Sequence, residues 1–232
     1  MNPNSELVQS IVSVPHLVQV PDNFLVQAHQ FQEAMMMYTC AIREVKTKLE
    51  VLNDELSVRN QRNPIEMIKS RVKKPISIVE KLQRRNLEIS VESMINHLDD
   101  IAGVRVICSF VDDIYQVAEM LMRQDDIRVI AIKDYIMNPK ENGYRSYHMI
   151  VEIPVFFSDE KRLMRVEVQI RTIAMDFWAS LDHQLKYKKP LIDSEDISRE
   201  LKLCADVISQ TDEKMLSIRQ SIESQGIQVK RD

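Results

Sequence analysis

The chain has 232 residues, 44% of them apolar and 28% charged, and a formal net charge of −4. Those values describe a globular protein with a core, and they exclude a disordered chain or a polycation built along its whole length for nucleic acid. Three cysteines far apart (Cys40, Cys108, Cys204) and three isolated glycines (Gly103, Gly143, Gly226) exclude a disulfide scaffold, a zinc ribbon and a glycine-rich phosphate loop.

Residues 1–21 read as an irregular arm. Leu7–Pro21 is uncharged, but Glu6 precedes it and Gln9, Pro15, His16 and Gln19 interrupt it, so neither a signal peptide nor a membrane span is expected. A reducing cytoplasm is the expected compartment, with no membrane partner. A long helix is predicted over 22–58, with Asp22 as N-cap. Its apolar positions Phe24, Ala28, Phe31, Met35, Tyr38, Ile42, Val45, Leu49, Leu52 and Leu56 alternate four and three apart, a heptad seam roughly 50 Å long. Residues 64–85 read as helical in pieces, broken at Pro64 and Pro75, and Ser90 can cap a short helix ending at His97.

Strand patterns follow at Ile101–Phe110 and Ile127–Tyr135, separated by a helix over Asp112–Arg123. Ser146–Ile153 and Met164–Arg171 read as a hairpin around Ser158–Lys161. Thr172 caps a helix to about Tyr187, Pro190 ends it, and a polar linker leads to a last helix. That helix carries a second seam through Ile197, Leu201, Cys204, Ile208, Thr211, Met215, Ile218 and Ile222. Four strands with interspersed helices predict an α/β (α+β) fold: a mixed sheet over 59–190 between an N-terminal helix and a C-terminal extension, 191–232. Either seam could serve packing on one core or a subunit interface; a homo-oligomer, a tetramer, is the expectation.

Four constellations carry chemistry. Residues 59–85 hold Arg59, Arg62, Lys69, Arg71, Lys73, Lys74, Lys81, Arg84 and Arg85 against only Glu66 and Glu80, although the whole chain is negative. Such segregation points to a polyanion partner at one place, unless it is a solvated face. In the strand Arg165-Val166-Glu167-Val168-Gln169-Ile170-Arg171, strict alternation puts the polar residues on one face, a cleft floor or a plain wet surface. Glu167 there is a candidate magnesium ligand and proton acceptor. Asp99-Asp100-Ile101-Ala102-Gly103-Val104-Arg105 places acids at the mouth of a strand, metal ligands or a solvated turn. A regular strand would send Asp100 and Arg105 to opposite faces, so either Gly103 marks a bulge or close backbone approach, or Asp100 precedes the strand. In Lys140-Glu141-Asn142-Gly143-Tyr144-Arg145-Ser146-Tyr147-His148, a turn presents an aromatic between cations, suited to stacking a base or simply structural.

Taken together, RVKKPISIVEK, DIAGVRVICSF, NGYRSYH and VEVQIRTIAMDFWASLDH resemble the synthetase domain of the RelA/SpoT family, more narrowly the small alarmone synthetases, over about residues 60–190. The resemblance implies a nucleotidyltransferase-like fold and a GTP/GDP pyrophosphokinase that moves the diphosphate of ATP to the 3′-hydroxyl of GDP or GTP, releasing AMP and using Mg2+. It implies that Arg71 and Arg105 sandwich adenine, that Lys73, Lys81 and Arg84 grip the ATP phosphates, and that Asp100 and Glu167 hold the metal, with Glu167 also taking the hydroxyl proton. Tyr144 would stack on guanine, and Gln169, His148 and Lys140 would line the acceptor pocket. Asp176 stands where relatives may carry asparagine; it would belong to the GDP/GTP site, accepting hydrogen bonds from guanine's N–H edge, and shares a helix face with Ser180 and His183. The hydrolase of the long members has a His-Asp motif, and no His-Asp dipeptide occurs here. RNA and the alarmone itself stand as candidate regulators. Two rivals are an RNA- or nucleotide-binding module using the basic block, which predicts steep salt dependence and no product, and a generic nucleotidyltransferase, whose Gly-Ser turn with paired acids is missing.

Overall fold

The computed structural model describes residues 22–60, 62–186 and 194–225; the arm expected at 1–21 and the break expected at Pro190 lie outside them. Helix α1 (Asp22–Asn60) contains no glycine or proline and runs unbroken. Tyr38, Ile42, Val45, Leu49 and Leu56 of the expected seam are buried, and Ala34, Met37 and Ala41 join them. The stripe is therefore wider than a coiled-coil seam, as suits a helix laid on a sheet. Ala28 of the seam is exposed.

The segment expected as broken helix is partly a strand, β1 (Ile65–Val72). It pairs antiparallel with β2 (Ala102–Cys108) from Ile65 opposite Cys108 to Val72 opposite Ala102, with a register shift between Ile65 and Met67. That irregularity and a mostly exposed face disrupt the period-two pattern, which is why an edge strand reads poorly in sequence. Pro75 opens α2 (Pro75–Arg84) after an extended Lys74, and Ile78 and Leu82 bury its inner face. Ser90 Oγ accepts the Ser93 amide at 3.1 Å to cap α3 (Val91–His97). Helix α4 (Val111–Met122) follows β2, then β3 (Arg128–Asp134), β4 (Tyr147–Phe156) and β5 (Lys161–Thr172).

The sheet thus has five strands, one more than expected, in the order β1-β2-β5-β4-β3. β2 and β5 are parallel, and β4–β5 is the expected antiparallel hairpin. One sheet face is apolar: Val104, Val106, Met149, Val151, Val166, Val168 and Ile170 are at most 1% exposed, and α1 and α4 pack with the strands. The other face bears the polar residues. Thr172 Oγ1 accepts the Met175 amide at 3.0 Å, starting α5 (Ile173–Lys186).

Helix α6 (Ser194–Ser224) packs on α5 with a face that keeps Leu201 and Ile208 of the expected seam but turns away from the rest of it. Leu201, Ala205 and Asp212 are its buried positions, while Cys204, Thr211, Met215 and Ile218 are exposed. Polar anchors set that rotation: Thr172 Oγ1 donates to Asp212 Oδ2 at 2.6 Å, Trp178 Nε1 donates to Leu201 O at 2.8 Å, and Arg219 pairs with Asp112 of α4.

Because Leu49 is fully buried among the sheet residues, Leu49→Ala should destabilise the fold by about 2–5 kcal/mol. Urea unfolding measures this, and a loss under 1 kcal/mol, roughly that of a surface change, would mean α1 is an appendage rather than core.

Candidate active site

Sheet register gathers side chains that the sequence scatters over a hundred positions. Arg71, Gly103 and Glu167 stand side by side across β1, β2 and β5; the next rung holds Lys69, Arg105, Gln169 and His148. Residues directly opposite in neighbouring strands share a face, so these groups form one polar surface. Asp100 precedes β2 and reaches the same surface from the strand's mouth. No bulge occurs at Gly103, whose partners Arg71 and Glu167 are in regular register. A Cβ placed there would sit at ordinary contact, 3.7 Å from Arg71 O. No neighbouring protein backbone therefore requires a glycine at this position.

Lys69, Arg71, Asp100, Gly103, Arg105 and Glu167 line a cavity of about 190 Å³. Arg71, Arg105 and Gln169 also border a hollow of about 680 Å³ that extends to Tyr144, Arg171 and His183, so the two make one cleft. A larger hollow of about 750 Å³ between α1, α3 and the start of β5 includes Arg165 but neither Asp100 nor Glu167. Arg165 is there ion-paired with Asp99 at 2.8 Å, so the far end of the polar row leaves the cleft.

Asp100 Oδ2 accepts from Lys73 Nζ at 2.7 Å and Lys81 Nζ at 2.6 Å, while its Oδ1 is buried with no hydrogen-bond partner. Burial raises the Asp100 pKa, but the two lysines outweigh it and hold the carboxyl below its ordinary range. Burial acts likewise on Glu167, where hydrogen bonds from His148 and Gln169 more than offset it, leaving that carboxyl lowered as well. Glu167 Oε2 accepts from Gln169 at 2.9 Å, and Oε1 lies 3.4 Å from His148 Nδ1. Arg84, one turn beyond Lys81, is exposed and borders neither part of the cleft.

Tyr144 occupies the other end. Its hydroxyl bonds His148 Nε2 at 2.8 Å and accepts from Arg171 Nη2 at 2.5 Å. Lys140, itself exposed, holds its ammonium 4.8 Å from the Tyr144 ring centroid and 4.7 Å from that of Tyr135. Asp176 lies beneath the cleft, buried, with Lys69 at 3.4 Å, Arg105 at 3.2 Å and Arg171 at 3.3 Å around its carboxylate. Burial and the Arg171 charge pull the Arg105 pKa below its ordinary value. The arrangement is a cluster of cations, running from exposed Lys69 and Arg71 to buried Arg171, with few counter-charges, which suits a polyanion.

A family model described as a region found in RelA / SpoT proteins matches residues 70–191, the segment from the end of β1 past α5. The chain belongs to the RelA/SpoT family. It is 42% identical over 212 residues to the GTP pyrophosphokinase YwaC of Bacillus subtilis (strain 168), covering 91% of this chain and 99% of that protein. Its fold matches the crystal structure of small alarmone synthetase 2 from Bacillus subtilis with a TM-score of 0.75 at 43% identity, over 82% of this chain and 98% of that one. It matches small alarmone synthetase 1 from Bacillus subtilis, bound to its product pppGpp, with a TM-score of 0.76 at 37% identity, over 84% and 99%.

Within this RelA/SpoT cleft, three further side chains join those named from sequence. Arg171 was visible in the alternating row as a partner of Glu167 and Gln169, and Lys69 in the basic block. Tyr135 carried no signal: it meets Tyr144 only because its amide bonds Ser146 O at 3.0 Å across the loop.

Removing the Asp176 carboxylate strands Lys69, Arg105 and the buried Arg171 together. Asp176→Ala should cost about 3–5 kcal/mol in urea unfolding, and millimolar pyrophosphate should recover part of it by replacing the lost anion. Equal stability of variant and parent, with or without the anion, would refute the clustering.

Proposed function

We propose that the cleft catalyses transfer of a diphosphate from ATP to the 3′-hydroxyl of GDP or GTP, giving (p)ppGpp and AMP as part of the stringent response. The observation that carries this reading is that Asp100 and Glu167 border one small cavity whose rim is cationic. The relatives named as a GTP pyrophosphokinase and as alarmone synthetases support it. The absence of a His-Asp dipeptide supports a transferase that does not hydrolyse its product.

Roles follow from position. Arg71 and Arg105 flank the open floor at Gly103, where two guanidinium planes can hold adenine between them. Lys73 and Lys81 now neutralise Asp100 and would turn to the ATP phosphates, with Arg84 reaching their outer end. Tyr144 would stack on guanine, with Lys140, His148 and Gln169 contacting the acceptor and Asp176 holding the arginines that face both substrates. The acceptor hydroxyl attacks the β-phosphorus in line, Glu167 takes its proton, and the cations stabilise charge as AMP departs.

The donors fit Mg2+: Asp100 offers a buried carboxylate oxygen without a partner, and Glu167, whose oxygens now meet His148 and Gln169, offers a second carboxylate on the same cavity. Among the described residues no group of three or more His, Cys, Asp or Glu forms a metal cluster, so the remaining oxygen ligands would come from phosphates and water. Such a cation supplies charge neutralisation on the transferred diphosphate.

Two further readings accompany this. A homotetramer is supported by apolar side chains that the subunit leaves uncovered: Ile173, Phe177, Leu181 and Leu185 along α5, and Ile197, Val207, Met215 and Ile218 on α6, all at least 40% exposed. A cytoplasmic setting is supported by Cys40, Cys108 and Cys204 all being free. No helix among the described residues is long and apolar enough to cross a membrane.

ATP, GDP and Mg2+ incubated with the protein should yield AMP and ppGpp on anion-exchange chromatography; AMP without a guanosine tetraphosphate would reject the transfer. Glu167→Gln should keep the fold and lower turnover by about 10²–10⁴, and wild-type speed in that variant would remove Glu167 from the chemistry. Light scattering at micromolar concentration should return about four times the chain mass; a monomer mass would refute the assembly.

A further inference from the structure

Tyr144 rides on the loop joining β3 to β4, and that loop's hydrogen bonds close mostly on itself. Gly143 N donates to Lys140 O at 2.8 Å, Lys140 N to Tyr144 O at 3.2 Å, and Tyr144 N to Asn142 Oδ1 at 3.2 Å. Such a self-closed turn can pivot as a unit unless something outside holds it.

The Tyr144 hydroxyl is tied to the sheet through His148 and Arg171, and the backbone of the turn is held by α6. Arg145 Nη1 donates to Ala205 O at 3.3 Å and to Gly143 O at 3.2 Å, and Nη2 donates to Asp206 Oδ1 at 3.2 Å. Asp206 Oδ2 also accepts from Lys202 at 3.0 Å. Gly143 has φ +84°, and a Cβ built on it would come within 2.5 Å of Ala205 Cβ, so loop and helix touch backbone to side chain with no room between. Behind them Trp178 stands 6.5 Å from the Tyr144 ring while donating to Leu201 O. The helix is pinned elsewhere by Thr172–Asp212 and by Arg219–Asp112. Two independent features, a charged clasp and a glycine-permitted close contact, thus converge on one turn of α6.

We propose that α6 is the positioning element of the acceptor site: the Arg145–Asp206 clasp and the Gly143–Ala205 contact hold the Tyr144 loop in its stacking position before the guanine nucleotide arrives. None of these four residues touches the adenine side of the cleft, so the helix governs acceptor binding separately from donor binding. This rests on the reading of Tyr144 as the guanine platform. Preorganising a loop lowers the ordering cost that ligand binding must otherwise meet.

Asp206→Ala is the test, because Asp206 lies on the partly exposed side of α6 and its loss leaves the buried anchors in place. The KM for GDP should rise about three- to tenfold, the scale of one hydrogen bond of ordinary net strength, while the KM for ATP and the unfolding midpoint stay put. Asp206→Glu should restore most of the GDP affinity. Backbone amides of residues 138–146 should exchange with deuterium faster in Asp206→Ala than in wild type. Unchanged exchange there, or a KM for ATP that climbs in step with that for GDP, overturns the proposal. Exchange reads the loop without catalysis, so a wild-type protein that made no product would count against the functional reading alone and leave the clasp to be decided by the amides.

Discussion

The parallel pairing of β2 with β5 is the constraint on which the site depends. It sets Gly103 beside Glu167 and Arg105 beside Gln169, and β1 and β4 then extend the same rungs outward. A slip of one residue would turn Val168 toward the cleft and Glu167 into the core. That slip is prevented from the opposite face, where Val104, Val106, Val166, Val168 and Ile170 are buried. Burial of valines and isoleucines on one side of the sheet therefore aims the carboxylate and the arginines on the other. The placement of α1 matters to function for this reason, although no α1 residue lines the acid-bearing cleft.

Charge in the cleft is arranged around what it lacks. Lys69, Arg71, Lys73, Lys81, Arg105 and Arg171 converge where the carboxylates are Asp100, Glu167 and Asp176. Part of that convergence is buried, where unbalanced charge is costly. Asp100 and Asp176 relieve it by each serving more than one cation, and Asp100 keeps one oxygen unpartnered. A triphosphate entering with a divalent ion would add both the missing negative charge and a ligand for that oxygen. A chain of overall negative charge can thus present a strong anion site, since local segregation decides the field at the cleft.

Two ends of the cleft are supported differently. The end proposed for adenine is built on strands β1, β2 and β5, whose ladders fix each side chain. The end proposed for guanine hangs on a loop, and loops are precise only when braced. Here the brace is a helix more than fifty residues downstream, through Arg145 and Asp206. The contact closes because position 143 has no side chain and position 205 has a small one.

Much of this was legible from residue order. Alternation in β5 separated Glu167, Gln169 and Arg171 from the valines, because side chains of a strand necessarily point to opposite sides. Scarcity of glycine left phosphate binding to lysine and arginine. Ser90 and Thr172 announced helix starts through their own hydroxyls. These are local properties, decided within a few bonds or a few turns. The strand at 65–72 was hidden, since its regularity comes from pairing with β2 and its pattern is broken by a register shift. The buried face of α6 was only half visible: Leu201 and Ile208 of its apolar seam pack, but the contacts of Asp212 and Trp178 turn Cys204, Thr211, Met215 and Ile218 outward. Asp176 beneath the arginines and Tyr135 beside Tyr144 were equally out of reach. Which residues meet across long stretches of chain is settled by how much surface the whole molecule buries, and no short window of sequence contains that sum.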